Sequence, residues 1–271
     1  MLRMETIPAV FRSVLLPYGL WQAGQRHTTM VVRPISGHDE MAVDDVLAAG
    51  GGVARAGNLL IGRCTSLKTA DGACPPLGSE AAQELTLGDR EVVFRALYAS
   101  TISPNVAAGL PCAGCGETVE FDLDLTFPPE LPPEPGPVHH LDVMGRPAAC
   151  RLLTGADLER AADTADPVSS LRGACTDVDA LPTEVLAHEL MRLDPNAETL
   201  IDLTCAACGH GAQVYLDGFE LIRHALASDG GIVRQVHVLA SAYAWREQDI
   251  LAIPHARRRG YCAMAHGPTA K

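Results

Sequence analysis

Two short segments carry residue types at a spacing that can hold a metal ion: Leu110-Pro111-Cys112-Ala113-Gly114-Cys115-Gly116 and Leu203-Thr204-Cys205-Ala206-Ala207-Cys208-Gly209. Both read Leu-x-Cys-x-x-Cys-Gly. Two residues between the cysteines let both sulfurs face one cation across a tight turn whose backbone N–H groups can hydrogen-bond the thiolates. The glycine that follows permits the positive φ such a turn often needs. Each pair is half a tetrahedron, so Cys112, Cys115, Cys205 and Cys208 are expected to form one closed Zn2+ site, structural because no position is left for water or substrate. The competing chemistry is a thioredoxin-like redox pair, which opens a helix within a βαβ pattern. Here strand-like sequence follows each pair instead: residues 118–125 alternate apolar and polar, and residues 212–216 do so more loosely.

The elements that must position these sulfurs read as a fold of α+β class built from two related half-repeats. Arg33-Pro34-Ile35-Ser36-Gly37-His38-Asp39-Glu40 matches Arg151-Leu152-Leu153-Thr154-Gly155-Ala156-Asp157-Leu158-Glu159, each a strand-like run leading into a Ser/Thr-Gly turn and an acidic helix start. A Cys-Thr pair follows in each, Cys64-Thr65 and Cys175-Thr176, then a helix (residues 86–97 and 181–190), then a strand into a knuckle. The expected organisation is an N-terminal repeat at 1–127, a stiff Pro-rich connector at 128–137, a second repeat at 138–218 and a helical C-terminal segment at 219–271. The 89 residues between Cys115 and Cys205 are too long for a simple zinc-ribbon loop, so the metal must tie together two substantial parts of the chain.

In the C-terminal segment, residues 219–226, 232–243 and 247–253 read as helices. Val233, Val236, Leu239 and Ala240 form the expected core stripe of the second, and Arg257-Arg258-Arg259 forms a basic corner, read as a solvated face or a docking point for an acidic partner. The formal net charge of −12 argues against a protein whose main task is coating phosphates. With only 4% aromatics, the core must be built from Leu, Val, Ile and Ala with secondary stabilisation, for which the nine cysteines are the candidates. No secretory signal is readable at the start, which points to the cytoplasm, where cysteines serve as metal ligands more often than as disulfides. The charge-free stretch 96–116 is broken by Ser100, Ser103, Pro104, Asn105, Gly109 and Pro111, so no membrane-spanning helix is expected.

No nucleophile-base arrangement, open metal site or phosphate-binding loop is visible. His38-Asp39-Glu40 reads as favourable charge at a helix start, His139-His140 as exposed loop, and Gly50-Gly51-Gly52 as a helix stop. Cys64, Cys74, Cys150, Cys175 and Cys262 lack Cys-x-x-Cys partners and read as small buried hydrophobes or inert thiols.

The chain resembles the baseplate hub assembly proteins, or assembly chaperones, of contractile-tailed bacteriophages and phage-like contractile injection systems. The resemblance rests on Leu-Pro-Tyr-Gly-Leu-Trp at 16–21, Arg-Pro-Ile-Ser-Gly-His-Asp-Glu at 33–40, Leu-Thr-Leu-Gly-Asp-Arg-Glu at 85–91 and both knuckles. It continues through Leu-Leu-Thr-Gly-Ala-Asp-Leu-Glu at 152–159 and the tail from Glu247 to the Arg run, covering residues 14 to about 262. It implies zinc at the four knuckle cysteines and a non-catalytic role in building a tail-like machine. Hub, spike or wedge proteins would be the partners, with incorporation into a tail or particle. The alternative reading is a zinc-ribbon nucleic-acid-binding or transcription-associated factor, against which the acidic charge weighs.

Overall fold

The computed structural model describes residues 11–22, 24–68, 72–133, 135–143, 146–176, 178 and 182–265. In chain order its elements are β1 (Arg12–Gln22), β2 (Gln25–Val32), α1 (Gly37–Ala48), α2 (Gly52–Cys64), β3 (Thr65–Leu67), α3 (Ser79–Gln83), α4 (Leu87–Thr101), β4 (Asn105–Pro111) and β5 (Thr118–Asp124). The second part runs β6 (His139–Val143), β7 (Arg146–Cys150), α5 (Gly155–Ala162), α6 (Pro167–Cys175), α7 (Thr183–Leu193), β8 (Thr199–Thr204) and β9 (Gly211–Leu216). It ends in α8 (Gly218–Ala227), α9 (Gly231–Tyr243), α10 (Glu247–Leu251) and α11 (His255–Ala265). The fold is mixed α/β, with an antiparallel β1-β2-β3 sheet and three separate hairpins, β4-β5, β6-β7 and β8-β9. The main core lies between the sheet, α2, α4 and α8, around Leu16, Leu20, Met30, Ile61, Val93, Leu97 and Ile222.

Helix α4 is enclosed on nearly every side, so its charged residues are buried: its acids take backbone N–H groups, while Arg95 lies over the Phe127 ring, 3.9 Å from its centroid, with two guanidinium nitrogens unbonded. Asp89 accepts the N–H groups of Tyr18 and Gly19 at 3.0 and 2.7 Å. Those two residues sit where the β1–β2 register breaks between Leu15 and Leu20, and the carbonyls of Pro17 and Tyr18 are taken by Arg26 at 2.6 and 2.7 Å. The Leu-Pro-Tyr-Gly-Leu-Trp segment is therefore a bulge whose unladdered backbone groups are satisfied by one acid and one guanidinium. Glu91 accepts the Gly218 N–H at the start of α8 with both oxygens, at 3.0 and 3.1 Å. Asp194, from the end of α7, accepts the Gly88 N–H at 2.9 Å. Burial outweighs these hydrogen bonds and pushes Asp89 and Glu91 up to about 7 and Asp194 up to about 6.

Arg33 and Arg151 make the same set of contacts. Each follows the last residue of a strand, gives its N–H to the carbonyl of Cys64 or Cys175 (2.9 Å in both), and forks onto the buried carboxylate of Asp39 or Asp157 at 2.6–3.0 Å. That carboxylate also accepts from the backbone and hydroxyl of Ser36 or Thr154, closing a capping box on α1 or α5. Burial alone would raise Asp157, but the bonds from Arg151 and Thr154 overcome it and hold the carboxyl at about 2; Asp39 is depressed further still by Arg33 and Ser36. The helices placed next in each half differ in packing: α4 is enclosed, whereas α7 buries only Leu186 and Leu193. Leu181, placed at the start of that second helix, lies outside the described residues.

Helix starts from distant parts of the chain cross in pairs. Ser36 bridges Pro254, and Thr86 bridges Thr154. At each crossing a glycine leaves room for a buried arginine: Arg258 lies over Gly37, 2.9 Å from where a Cβ would stand, and Arg90 lies over Gly155. Arg258 is fully buried, bonded to Glu40, to Gln235 Oε1 at 2.6 Å and to the Ile253 carbonyl at 2.8 Å. This corrects the solvated-face reading of the Arg run: Arg257 and Arg259 are exposed, but the middle arginine locks the C-terminal helices onto α1.

Other expectations are also corrected. His139 is buried in β6 against Tyr18, with ring centroids 5.7 Å apart, because the Pro-rich connector turns back into the unforeseen β6-β7 hairpin; His140 is exposed. Gly50-Gly51-Gly52 both ends α1 and starts α2. The buried stripe of α9 is Ile232, Gln235 and Leu239, while Val233 is 68% exposed. The Pro-rich connector is tied to the body: Asn196 brackets the backbone of Glu130 at 3.0 and 2.8 Å, and the Tyr18 hydroxyl reaches the Gly136 carbonyl. Its residue Glu134 lies outside the described residues. Cys64, Cys150 and Cys175 are buried as expected, Cys74 is exposed and Cys262 is intermediate.

Arg258→Ala is expected to cost about 3–5 kcal/mol in urea unfolding because it strands the buried Glu40 carboxylate, and adding Glu40→Leu should recover much of that loss. Asp157 is depressed in the folded state, so its stabilisation holds above its unfolded pKa and disappears as pH falls through about 2. Asp157→Asn should therefore cost roughly 1–3 kcal/mol at pH 7, and its unfolding midpoint should converge with that of the parent protein between pH 4 and pH 2.

Candidate metal centre

The β4-β5 and β8-β9 hairpins carry the four cysteines at their tips. Their bases are anchored in the core through Val106, Leu125 and Leu216, but toward the tips Leu110 is 39% exposed, Leu203 is half-buried, and Thr204, Gly211 and Ala212 are exposed. Strand β5 lies beside β8 without a shared ladder. Two-stranded hairpins with so little buried surface are marginal alone, so the tips need another source of cohesion.

The two turns have the same geometry. The Cys112 N–H donates to the Glu117 carbonyl at 2.8 Å and the Cys205 N–H to that of His210 at 2.9 Å. Gly116 and Gly209 each return an N–H to the carbonyl of the first cysteine at 2.8 Å, with φ of +80° and +74°, a conformation in which a side chain is strained. The Gly114 N–H points at Cys112 Sγ at 3.3 Å. The turns are apposed so that Cys112 and Cys208 sulfurs lie 3.6 Å apart, Cys115 and Cys205 sulfurs 3.7 Å apart, and all four within 4.8 Å of one another. A tetrahedron with metal–sulfur bonds of about 2.3 Å has edges of about 3.8 Å, so the sulfurs stand where a four-coordinate ion would place them. Cys112 and Cys205 are buried, Cys115 and Cys208 exposed.

The electrostatics also favour a cation. The Gly114 N–H pulls the Cys112 thiol down to about 6. At Cys208 the His210 N–H pulls the same way, but the neighbouring sulfurs outweigh it and push the thiol up to about 12. Crowded thiolates repel one another, and a central divalent charge removes that repulsion. Sequence reasoning named all four cysteines that the structure brings together. It did not find the contact between the tips, where a Cβ on Gly114 would stand 3.1 Å from His210 Cβ and 3.4 Å from Cys208 Sγ. His210 thus packs over the site, and Gly114 lets it do so.

Among the described residues no other cluster of His, Cys, Asp and Glu could hold a metal ion, and no helix is long and apolar enough to cross a membrane. No protein-family model, curated protein or solved structure matches the chain.

Elemental analysis should find one bound metal ion per chain and none in Cys205→Ser. Gly114→Val, which crowds His210, should weaken metal retention by about 10–100-fold in a chelator competition.

Proposed function

We propose that the chain is a non-enzymatic assembly or structural component of the baseplate hub of a contractile phage tail or phage-like injection system, with Zn2+ held by Cys112, Cys115, Cys205 and Cys208. The observation that carries this reading is the convergence of four sulfurs from two matched hairpins 89 residues apart, which suits a closed structural site. Such a site offers stiffness and no open coordination position. The buried acids Asp89, Glu91 and Asp194 each accept backbone N–H groups, so their polar atoms serve the fold. The order of the sequence blocks, from Leu16 to the C-terminal arginines, supports the tail-assembly lineage.

On this reading the body is a duplicated α+β unit. The matching Arg33–Asp39 and Arg151–Asp157 clamps, the paired crossings over Gly37 and Gly155 and the two identical knuckle turns support it. The second copy lends the start of α5 to the crossing with α4, the C-terminal segment lends the start of α11 to the crossing with α1, and a metal would join the two hairpin tips. A body braced in this way can present fixed surfaces to hub, spike or wedge proteins, in the cytoplasm during assembly or within the particle.

Deleting the gene in a producing strain is expected to abolish assembled tails or particles in electron micrographs while tube and sheath subunits are still made. Undiminished particle yield would overturn the proposal, as would elemental analysis of the purified protein finding a metal other than zinc for the Zn2+ assignment.

A further inference from the structure

Charge is unevenly divided along this acidic chain. Residues 1–218 hold 14 Lys and Arg against 29 Asp and Glu, whereas residues 219–271 hold seven against four. Two of those basic residues, Arg234 and Arg259, stand with Asp229 around a groove of about 570 Å3 between α9 and α11, lined also by Val238, Gly260 and Ala263. Arg234 has no ion-pair partner among the described residues, and Arg259 has only Asp229, itself 71% exposed. Gly260 sits inside α11, where glycine is less stable than alanine, yet no heavy atom lies within 4 Å of where its Cβ would stand. Packing within the chain requires a glycine neither there nor at Gly173 in α6, but at Gly260 the bare backbone faces the groove, where a ligand can approach the helix closely.

Taking the chain as the assembly component proposed above, we infer that this groove seats an acidic amphipathic segment of a partner protein, with an apolar side chain against Gly260 and carboxylates on Arg234 and Arg259. The partner's chemistry follows from the site: an apolar floor selects an apolar anchor, and two guanidiniums select carboxylates flanking it. The rim charges govern association rate and salt dependence, and the filled floor governs residence time.

The test uses the full chain and a fluorescein-labelled helical peptide with Leu on one face and Glu on the other, with a Leu/Lys peptide as control. Fluorescence anisotropy should show salt-sensitive binding of the Glu peptide alone, weakened at least about tenfold by Arg234→Glu and by Gly260→Leu. Gly260→Ala should leave the thermal midpoint unchanged or higher, which separates a plugged groove from a damaged helix. Absence of binding at millimolar peptide, equal binding of the Lys peptide, or unchanged binding to Gly260→Leu would overturn the assignment. So would groove-dependent binding to phosphatidylserine vesicles, which would make the occupant a lipid surface, or self-association abolished by Arg234→Glu, which would make it a second copy. Failure of the peptide with normal dependence of particle yield on the gene would remove the groove and keep the assembly role; the converse result would do the opposite.

Discussion

Four sulfurs brought within 4.8 Å of one another are the constraint on which the architecture turns. Little else among the described residues holds the hairpin tips: apart from His210 against Gly114, their outer residues are exposed and no ladder joins them. A cation there closes a loop of 89 residues and removes unfolded-state entropy that, by analogy with a covalent cross-link of that span, amounts to about 4–5 kcal/mol. For a chain with 4% aromatics that is a large share of ordinary domain stability.

Away from the cysteine turns, cohesion comes from buried charge. Asp89 holds the β1 bulge, Glu91 the start of α8, Asp194 the first turn of α4, and Arg258 the C-terminal helices. Buried polar groups of this kind add little net stability over apolar packing, but each allows only one register. The sheet, the long helix and the tail are therefore fixed in one mutual arrangement although much of the apolar packing is aliphatic and accommodating.

What the sequence made legible was local. The knuckle cysteines stand three apart, and the Arg33–Glu40 and Arg151–Glu159 blocks were readable as a strand leading to a turn and an acidic helix start; the arginine forks onto Asp39 and Asp157 and the Thr86 cap of α4 emerged only with the structure. The partners of Arg258 and His139 were hidden because Glu40 stands 218 positions away from Arg258 and Tyr18 stands 121 positions away from His139. An arginine run and a histidine pair beside prolines look solvated until the chain that covers them is known. The α9 stripe was misjudged for a related reason: Gln235 faces inward because Arg258 needs its carbonyl oxygen, which displaces the apolar pattern by a residue.

The placement of the cysteines also bears on synthesis. Cys112 and Cys115 leave the ribosome with only two of the four donors, and the last donor, Cys208, follows after some three quarters of the chain has been translated. Until then the first turn can hold an ion only loosely, and a prematurely terminated product can never complete the coordination shell. Tight retention of the ion thus certifies that translation reached the second turn, a quality check written into the order of the codons.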